Sequence, residues 1–265
     1  MIERYYKFIP ENYTKNKMVY KLGFNADIIP FNPTGSCEKG GLYFSDIDNI
    51  HNYGDYGPIL CEITLYDDSQ VYNEEGKSKT DKFNIENIYD LRTDCSPELV
   101  QILNKFKNVD FLCRYNNIEL IKLLNIKYYT SRGADWAARN GHLEVVKYLD
   151  INGIKCTSEG ADWAAENGHL EVVKYLDING IKCTSDGANW AAGNGHLEVV
   201  KWLDSNGIKC TSYGADLAVE NGHLEVVKWL DSNGIKCTSR GAEWAAQNGH
   251  LEVVKWLDNN GIKCT

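Results

Sequence analysis

The carboxy-terminal half of this sequence repeats itself every 27 residues, and this repeat restricts the fold more than any other feature. Units this short cannot bury their own apolar side chains, so they become stable only when neighbours stack into one continuous core. The repeat therefore predicts a helical solenoid. Its five regular units follow one another without a gap and differ at few positions; they span residues 131–157, 158–184, 185–211, 212–238 and 239–265.

A degenerate unit precedes the regular ones. Asp110–Arg114 matches Asp135–Arg139 at an offset of 25 residues. Ile118–Lys122 matches Leu143–Lys147 at the same offset. We therefore assign residues 108–265 to the repeat array, as one degenerate and five regular units.

Each unit carries the pattern of two short helices. In the first regular unit, the Ala-rich segment from Ala134 to Asn140 forms one helix, which Gly141 ends. Leu143 to Leu149 form the second, because apolar residues recur on one face while Glu and Lys occupy the other. Asn152-Gly153 then supplies a typical helix end. The array is thus predicted to be all-α, and the protein mainly α overall.

The segment AARNGHLEVVKYL, which begins at Ala137, resembles the AAxxGHxEVVKLL pattern of ankyrin repeats. The usual ankyrin unit has about 33 residues. The shortening falls between Gly153 and Ala161, where ankyrin repeats project a β-hairpin, so we expect a tight loop from Ile154 to Gly160 without a hairpin. The short unit, with its GHLEVVKWL variant, is similar to the ankyrin arrays of giant DNA viruses of amoebae. Segments such as FNPTGSCEKGGLYFSD resemble the leader domain of those viral proteins.

Two positions of the unit vary while most others stay constant. In ankyrin arrays, residues flanking and following the Ala-Ala pair lie on the concave face that contacts partners. The resemblance therefore implies a partner-binding surface at the second and ninth positions. The alternative is drift on solvated positions after recent duplication, and the sequence leaves both open. The candidate residues are Arg132, Arg139, Glu159, Glu166, Asp186, Tyr213, Glu220, Arg240 and Gln247.

The repeated cysteines and histidines predict no metal site and no cofactor. Equivalent residues in stacked helical layers lie about 8–10 Å apart. This separation is too large for a disulfide or for shared zinc coordination. We expect buried thiols, histidines with a structural role at the turn, and aromatic rows that pack between layers. The cysteines of the array are Cys156, Cys183, Cys210, Cys237 and Cys264, and its histidines are His142, His169, His196, His223 and His250.

The charge argues against nucleic acid and against an anionic membrane surface as partners. The net charge is −9 at pH 7, and acidic residues outnumber basic ones both in residues 1–95 and in residues 96–265. Nucleic-acid and membrane-surface binding require clustered positive charge. The sequence has neither a long apolar run nor an apolar signal core at its start. We expect an intracellular, soluble protein of the host cytoplasm, with the virion as an alternative location.

Residues 1–95 predict a small α+β domain. Short β-like runs cover residues 41–44, 59–65 and 70–72, and Ser45 is expected to cap a short helix that includes residues 46–50. Ser96-Pro97-Glu98 starts a helix that we expect to cover the end of the stack, within residues 96–107. The domain lacks a phosphate-binding or calcium-binding loop motif. If it is an enzyme, the residues to examine are His51, Glu62 and Asp81.

The sequence thus favours a non-catalytic scaffold for protein–protein interaction. The alternative is an effector whose amino-terminal domain is an enzyme that the array brings to its target; a structural component of a virion is a third reading. Residues 239–265 keep the apolar pattern of the inner units. Because solenoids usually need a polar terminal layer, we expect this last unit to fray or to associate with a second copy.

Overall fold

The computed structural model describes residues 3–15, 17–34 and 38–262. The chain divides into two compact units, Met1–Tyr129 and Thr130–Thr265. The first contains all the strands of the described residues, and the second consists of paired helices. The strands are β1 (Tyr5–Ile9), β2 (Thr14–Lys15), β3 (Met18–Val19), β4 (Gly23–Ala26), β5 (Leu42–Phe44), β6 (Ile59–Thr64), β7 (Val71–Glu74), β8 (Lys77–Thr80) and β9 (Lys82–Asp90).

The first unit is built on antiparallel sheets. The largest has the strand order β1-β6-β9-β4, a second has the order β5-β8-β7, and β2 pairs with β3. Ile9, Ile59, Ile63 and Phe83, each fully or almost fully buried, belong to its apolar core. The α+β class is confirmed, and the strands β5, β6 and β7 fall on the three predicted runs. The helix that was expected around residues 46–50 is wrong, since a 3-10 helix spans Ile50–Tyr56 instead.

Ser96 caps the helix α1 (Pro97–Leu103), as its side chain accepts a hydrogen bond from the Leu99 amide. The degenerate unit that follows contains a 3-10 helix, Asp110–Arg114, and the helix α2 (Ile118–Leu123), with another 3-10 turn at Ile126–Tyr128.

The degenerate unit packs on the strands of the first compact unit. The Phe111 ring contacts Phe8 with 5.2 Å between centroids. The Asn117 side-chain amide donates to the carbonyls of Leu91 and Asp94 at 3.1 and 2.9 Å. Phe111 and Leu112 replace a Trp-Ala pair, so larger side chains are available for these contacts. The boundaries at residues 95 and 107, and the assignment of residues 108–129 to the array, stay predictions.

The second unit contains five helix pairs within its described residues, 130–262. Each first helix begins three residues earlier than predicted, because the preceding threonine serves as its N-cap: the Thr130 hydroxyl accepts from the Arg132 amide. Between residues 130 and 262 the structure has no strand, so the prediction of loops without a hairpin is confirmed. The helices are α3 (Ser131–Arg139), α4 (Leu143–Ile151), α5 (Ser158–Glu166), α6 (Leu170–Ile178), α7 (Ser185–Gly193), α8 (Leu197–Ser205), α9 (Ser212–Glu220), α10 (Leu224–Ser232), α11 (Ser239–Gln247) and α12 (Leu251–Asn259).

A buried polar side chain at the fifth position of the unit, Asp in most units, bonds one layer to the next. Asp162 is 6% exposed, and its two oxygens accept from the Thr184 amide and hydroxyl at 2.7 and 2.8 Å. Asn189, the corresponding residue one layer on, accepts both bonds from Thr211 through its amide oxygen. A Cβ on Gly187 would approach an Asp162 oxygen to 2.2 Å. The polar fifth position is therefore an element of interlayer packing, and glycine at the third position makes room for it.

The repeated thiols and imidazoles also lie between layers. Cys183 and Cys210 are buried, and their thiols donate to the carbonyls of Ala161 and Ala188. Burial raises the pKa of both thiols to about 12. Cys156 is buried as well and Cys237 is half-buried, whereas Cys264 lies outside the described residues. The histidines pack against the turn glycines of the preceding layer.

Candidate functional site

One face of each first helix combines the two variable positions with an aromatic one. Arg132, Trp136 and Arg139 lie four and three residues apart, and this spacing places them on one side of a helix. The Arg132 guanidinium lies 4.8 Å from the centre of the Trp136 ring. Arg240 lies over Trp244 at 4.7 Å in the last unit. We call positions two, six and nine of the five units the variable face.

The variable face continues from one layer to the next. The Arg139 guanidinium lies 5.4 Å from the centre of the Trp163 ring, which belongs to the following unit. Cation–π contacts of this kind contribute about 0.5–1 kcal/mol at exposed sites. These contacts place the arginine guanidinium groups over the rings, so that both kinds of side chain belong to the same surface.

All nine predicted site residues are accessible on this face. Tyr213 is the largest of them and is 53% exposed. Glu166 and Glu220 are half-buried, and the other residues are exposed: Arg132, Arg139, Glu159, Asp186, Arg240 and Gln247. The structure thus meets the geometric requirement for a contact surface at these residues, and their role in binding stays a prediction.

The charge along the variable face changes from layer to layer. The first unit contributes two arginines, Arg132 and Arg139, whereas the second contributes Glu159 and Glu166 at the same two positions. The next two units add further acids, and Arg240 restores a positive charge in the last. A partner that spans the face therefore meets basic, acidic and again basic groups. Such alternation favours specific register over nonspecific charge attraction.

The aromatic row is interrupted in the fourth unit. Leu217 stands where the other units have Trp, and Gly193 replaces the side chain at the ninth position of the preceding unit. A Cβ on Gly193 would lie 2.9 Å from the Leu217 Cβ, so the leucine side chain fills the space that glycine leaves. The exposed Tyr213 lies on the same helix as Leu217, one turn earlier. This combination gives the face one feature of shape as well as of charge.

Sequence reasoning missed the tryptophans as members of the face, because it assigned them to interlayer packing. Trp136 is 9% exposed, but Trp163, Trp190 and Trp244 are only half-buried. Their spacing of three and four residues from the variable positions could have indicated the shared surface.

The second helices carry a row of charged pairs that does not vary. Glu171 and Lys174 form an ion pair at 2.8 Å, and equivalent pairs recur in every regular unit. Exposed pairs of this type contribute little to stability. On the same helix, the Tyr175 hydroxyl donates to Asp150 of the preceding layer at 2.7 Å. The last position of the second helices does vary, since the exposed Ile151 of the first regular unit corresponds to Ser205 and Asn259 in later units. Only positions two and nine of the first helices, however, reverse the sign of their charge between units.

In the first compact unit, both carboxylates that were considered for catalysis take part in structural hydrogen bonds. Glu62 is 2% exposed and accepts from Arg4 at 2.5 Å and from Asn87 at 2.7 Å. Asp81 accepts from the Gln70 amide at 2.8 Å. These contacts hold strands and turns together, which is a structural use of both side chains.

His51 is half-buried in the 3-10 helix Ile50–Tyr56 of the first compact unit. Its Nδ1 is buried and lacks a hydrogen-bond partner among the described residues. Burial, and secondly the nearby Lys107, lower its pKa, so the ring is neutral near pH 7. A neutral imidazole alone does not indicate a reaction.

The repeat unit and its layer contacts agree with a known family. Residues 161–241 match the family model of ankyrin repeats in three copies. These residues are ankyrin repeats. Members of this class of repeat bind proteins, so the array indicates protein–protein interaction, and the family is typically non-catalytic.

Two relatives come from a giant virus of amoebae. An ankyrin repeat protein of Acanthamoeba polyphaga mimivirus is 28% identical over 155 residues, which are 57% of this chain and 69% of that protein. A second ankyrin repeat protein of the same virus is 46% identical over 46 residues, 17% of this chain and 15% of its own length. The resemblance to the ankyrin arrays of giant amoebal viruses is confirmed. Among the described residues, no helix has the length and apolar character needed to cross a membrane.

Proposed function

We propose that the protein is a non-catalytic scaffold that binds a host or viral protein through the variable face of its ankyrin repeats. One observation supports this most strongly: the sign of the charge reverses between units at positions two and nine of the first helices, while the exposed Glu-Lys pairs of the second helices recur unchanged. The last position of the second helices also varies, from isoleucine to serine and asparagine, but it is uncharged in every unit. Reversal of charge at two positions of one face is what selection for different contacts with a partner would produce.

The residues on this face suit a protein ligand. Tyr and Arg are the side chains that most often dominate binding energy at protein interfaces, and tryptophan shares this property. Tyr213 and Arg240 are both exposed, and Arg240 is held over the Trp244 ring. We therefore infer that the partner contacts the fourth and fifth units most strongly. Binding is expected in the host cytoplasm, or in the virion if the partner is a viral structural protein.

Replacement of both Tyr213 and Arg240 by alanine tests this function. We expect capture of the partner from an amoebal lysate to fall at least tenfold, because residues of this kind contribute about 2 kcal/mol or more at an interface. The free energy of unfolding should change by no more than about 0.5 kcal/mol, since both side chains are exposed. Quantitative mass spectrometry of captured proteins and urea denaturation provide the two measurements.

The matched control changes Glu225 and Lys228 to alanine. These residues form an exposed ion pair on the second helix of the same fourth unit. The control variant should capture the same proteins as the unmodified chain. Equal capture by all three proteins, or an equal loss in both double variants, would contradict binding through the variable face.

A further inference from the structure

The first compact unit contains a cavity that the proposed function does not use. Its volume is about 240 Å³, which is roughly the volume of eight water molecules in the liquid. Three lysines and three tyrosines contribute to its wall; the lining residues that matter here are Lys7, Lys15, Lys77, Tyr43, Tyr53 and Tyr56. Among the described residues that line it, none carries a carboxylate. This excess of positive charge contrasts with the net charge of −9 for the chain.

Lys7 lies at a strand position that normally carries an apolar side chain. Residues two apart on a strand share a face, and both Tyr5 and Ile9 pack in the apolar core. Lys7 is only 6% exposed, and its ammonium group donates to the carbonyl of Tyr43. A buried amine is costly without strong partners, and methionine would fill the same space at lower cost. The position of Lys7 therefore indicates a use for its charge.

The other two amines lie against aromatic rings of the same wall. The Lys15 Nζ is 3.8 Å from the centre of the Tyr56 ring. The Lys77 Nζ is 4.9 Å from the Tyr43 ring and 3.7 Å from a Glu74 oxygen. Tyr56 is 50% exposed, so the cavity extends from accessible surface near this ring to the buried Lys7. The wall thus combines flat rings, which accept a planar apolar body, with amines, which attract an anion.

We propose that this cavity binds a small aromatic molecule that carries one anionic group, namely a sulfonate, a phosphate monoester or a carboxylate. The anionic group contacts Lys7, with Lys15 and Lys77 adding charge, and the ring of the ligand packs against the tyrosines. Oxyanions accept charge-assisted hydrogen bonds from ammonium groups, and these are roughly twice as strong as neutral ones. This binding site is independent of the repeat array and of its partner.

The protonation of Lys7 links this binding to pH. Burial, and secondly the neighbouring Lys15, lower the pKa of Lys7 to about 7, against the opposite effects of Cys61 and Asp27. The Tyr20 ring also faces the amine, at 5.2 Å from its Nζ. A bound anion favours the charged amine, so binding takes up a proton when the pH is above about 7. Affinity should therefore fall as the pH rises through this value, by up to about tenfold per unit.

Benzenesulfonate is a suitable probe, because its charge does not change in this pH range. Titration calorimetry of the full chain at about pH 6 and pH 8, in buffers with different heats of ionisation, gives the affinity and the number of protons taken up. A ligand of this size in such a site should bind in the millimolar range. We expect proton uptake close to zero at about pH 6 and close to one at about pH 8. Benzenesulfonamide, which lacks the charge, and sulfate, which lacks the ring, should each bind at least tenfold more weakly.

Three lysine-to-methionine variants localise the site. Lys7→Met and Lys77→Met should each weaken benzenesulfonate binding about tenfold or more, and Lys7→Met should also abolish the proton uptake. Lys7→Met should fold, since it removes a buried charge and leaves an unbranched side chain that is only about one atom shorter. Lys21→Met, at an exposed lysine of the same unit, is the matched control and should bind as the unmodified chain does.

Absence of saturable binding at about 10 mM would overturn the proposal. The same conclusion would follow if Lys7→Met kept the affinity and the proton uptake, if Lys21→Met lost as much affinity as Lys77→Met, or if benzenesulfonamide bound as tightly as benzenesulfonate.

Discussion

The contacts that stabilise each compact unit from within differ between the two units in their separation along the chain. In the array, Thr184 bonds to Asp162, and the same bond recurs one unit later with a separation of 22 residues each time. In the first unit, β1 pairs with β6, and Tyr5 lies opposite Ile63. The array is thus a series of equal, local joints, whereas the sheets depend on single pairings between distant segments. A destabilising substitution should therefore affect only nearby layers in the array, but the whole set of sheets in the first compact unit.

Core truncations in the two units should give the largest effects. Ile63→Ala and Leu176→Ala each remove a buried side chain, and each should lower the free energy of unfolding by about 2–5 kcal/mol. Hydrogen exchange should separate them. Ile63→Ala should increase exchange across β1, β5, β6 and β9, because side chains of these strands share one core. Leu176→Ala should increase it mainly in residues 131–211, as a repeat contacts only its neighbours on either side.

The unmodified chain and the exposed change Lys174→Ala provide the baseline for that experiment. An exchange pattern for Leu176→Ala that is uniform from residue 131 to residue 262 would contradict the local character of the array. Confinement of the Ile63→Ala effect to β6 would contradict the cooperative character of the sheets.

Loss of the interlayer hydrogen bonds to Asp162 should give the next largest decrease in the free energy of unfolding. Asp162→Ala leaves the Thr184 amide and hydroxyl without their acceptor, so we expect a loss of about 2 kcal/mol in urea denaturation. Asp162→Asn should cost less than about 1 kcal/mol, because Asn189 already makes both bonds with an amide oxygen. Equal losses in the two variants would show that the hydrogen bonds do not hold the layers together.

The same pair of variants predicts a pH dependence. Burial raises the pKa of Asp162 in the folded protein, so folding favours the protonated form. The contribution of Asp162 to stability therefore declines as the pH rises from about 4, the pKa of an unfolded aspartate, through the raised value. Asp162→Asn should lack this decline. The prediction would be contradicted if the free energy of unfolding of the unmodified protein, minus that of Asp162→Asn, rose with pH over this window.

Alanine substitutions at two equivalent turn glycines should have smaller effects, and their difference separates backbone strain from steric contact between layers. Gly222 and Gly249 occupy the same position with φ of +78° and +77°. A Cβ on Gly222 would lie 2.6 Å from the His250 Nδ1, whereas one on Gly249 meets nothing within 4 Å among the described residues. Alanine at either site incurs the cost of the left-handed backbone, about 1–2 kcal/mol. Gly222→Ala should cost about 1 kcal/mol more, from the contact with the next layer, and equal costs in thermal denaturation would exclude that contact.

The difference between the units also explains what the sequence could reveal. Apolar residues such as Val172, Val173 and Leu176 recur in every unit, so the periodicity indicated the helices and the stacking. The N-cap threonines were missed because the prediction began each first helix at its Ala-rich segment, although the capping hydrogen bond is local. In the first unit, β9 carries a mixture of polar and apolar residues and is recognisable only beside β4 and β6. Short segments of this kind lack the signal of a pattern.

The two candidate sites also differ in how far the sequence could reveal them. Comparison of units with one another located the variable positions, because each unit serves as a reference for the others. It could not show that Arg139 covers the Trp163 ring, since that contact crosses from one layer to the next. The cavity around Lys7 left no trace in the sequence, because its lysines come from separate strands that meet only in the folded chain.

The buried bond between Asp162 and Thr184 has a consequence for how such a chain can change its length. Every 27-residue segment of the array brings one acceptor and one threonine, so gain or loss of a whole segment leaves no unmatched group at the junction. Recombination between nearly identical coding segments could therefore lengthen or shorten the variable face in steps of one layer, about 10 Å each. Each step would add three new side-chain positions, free to diversify without disturbing the joints on either side.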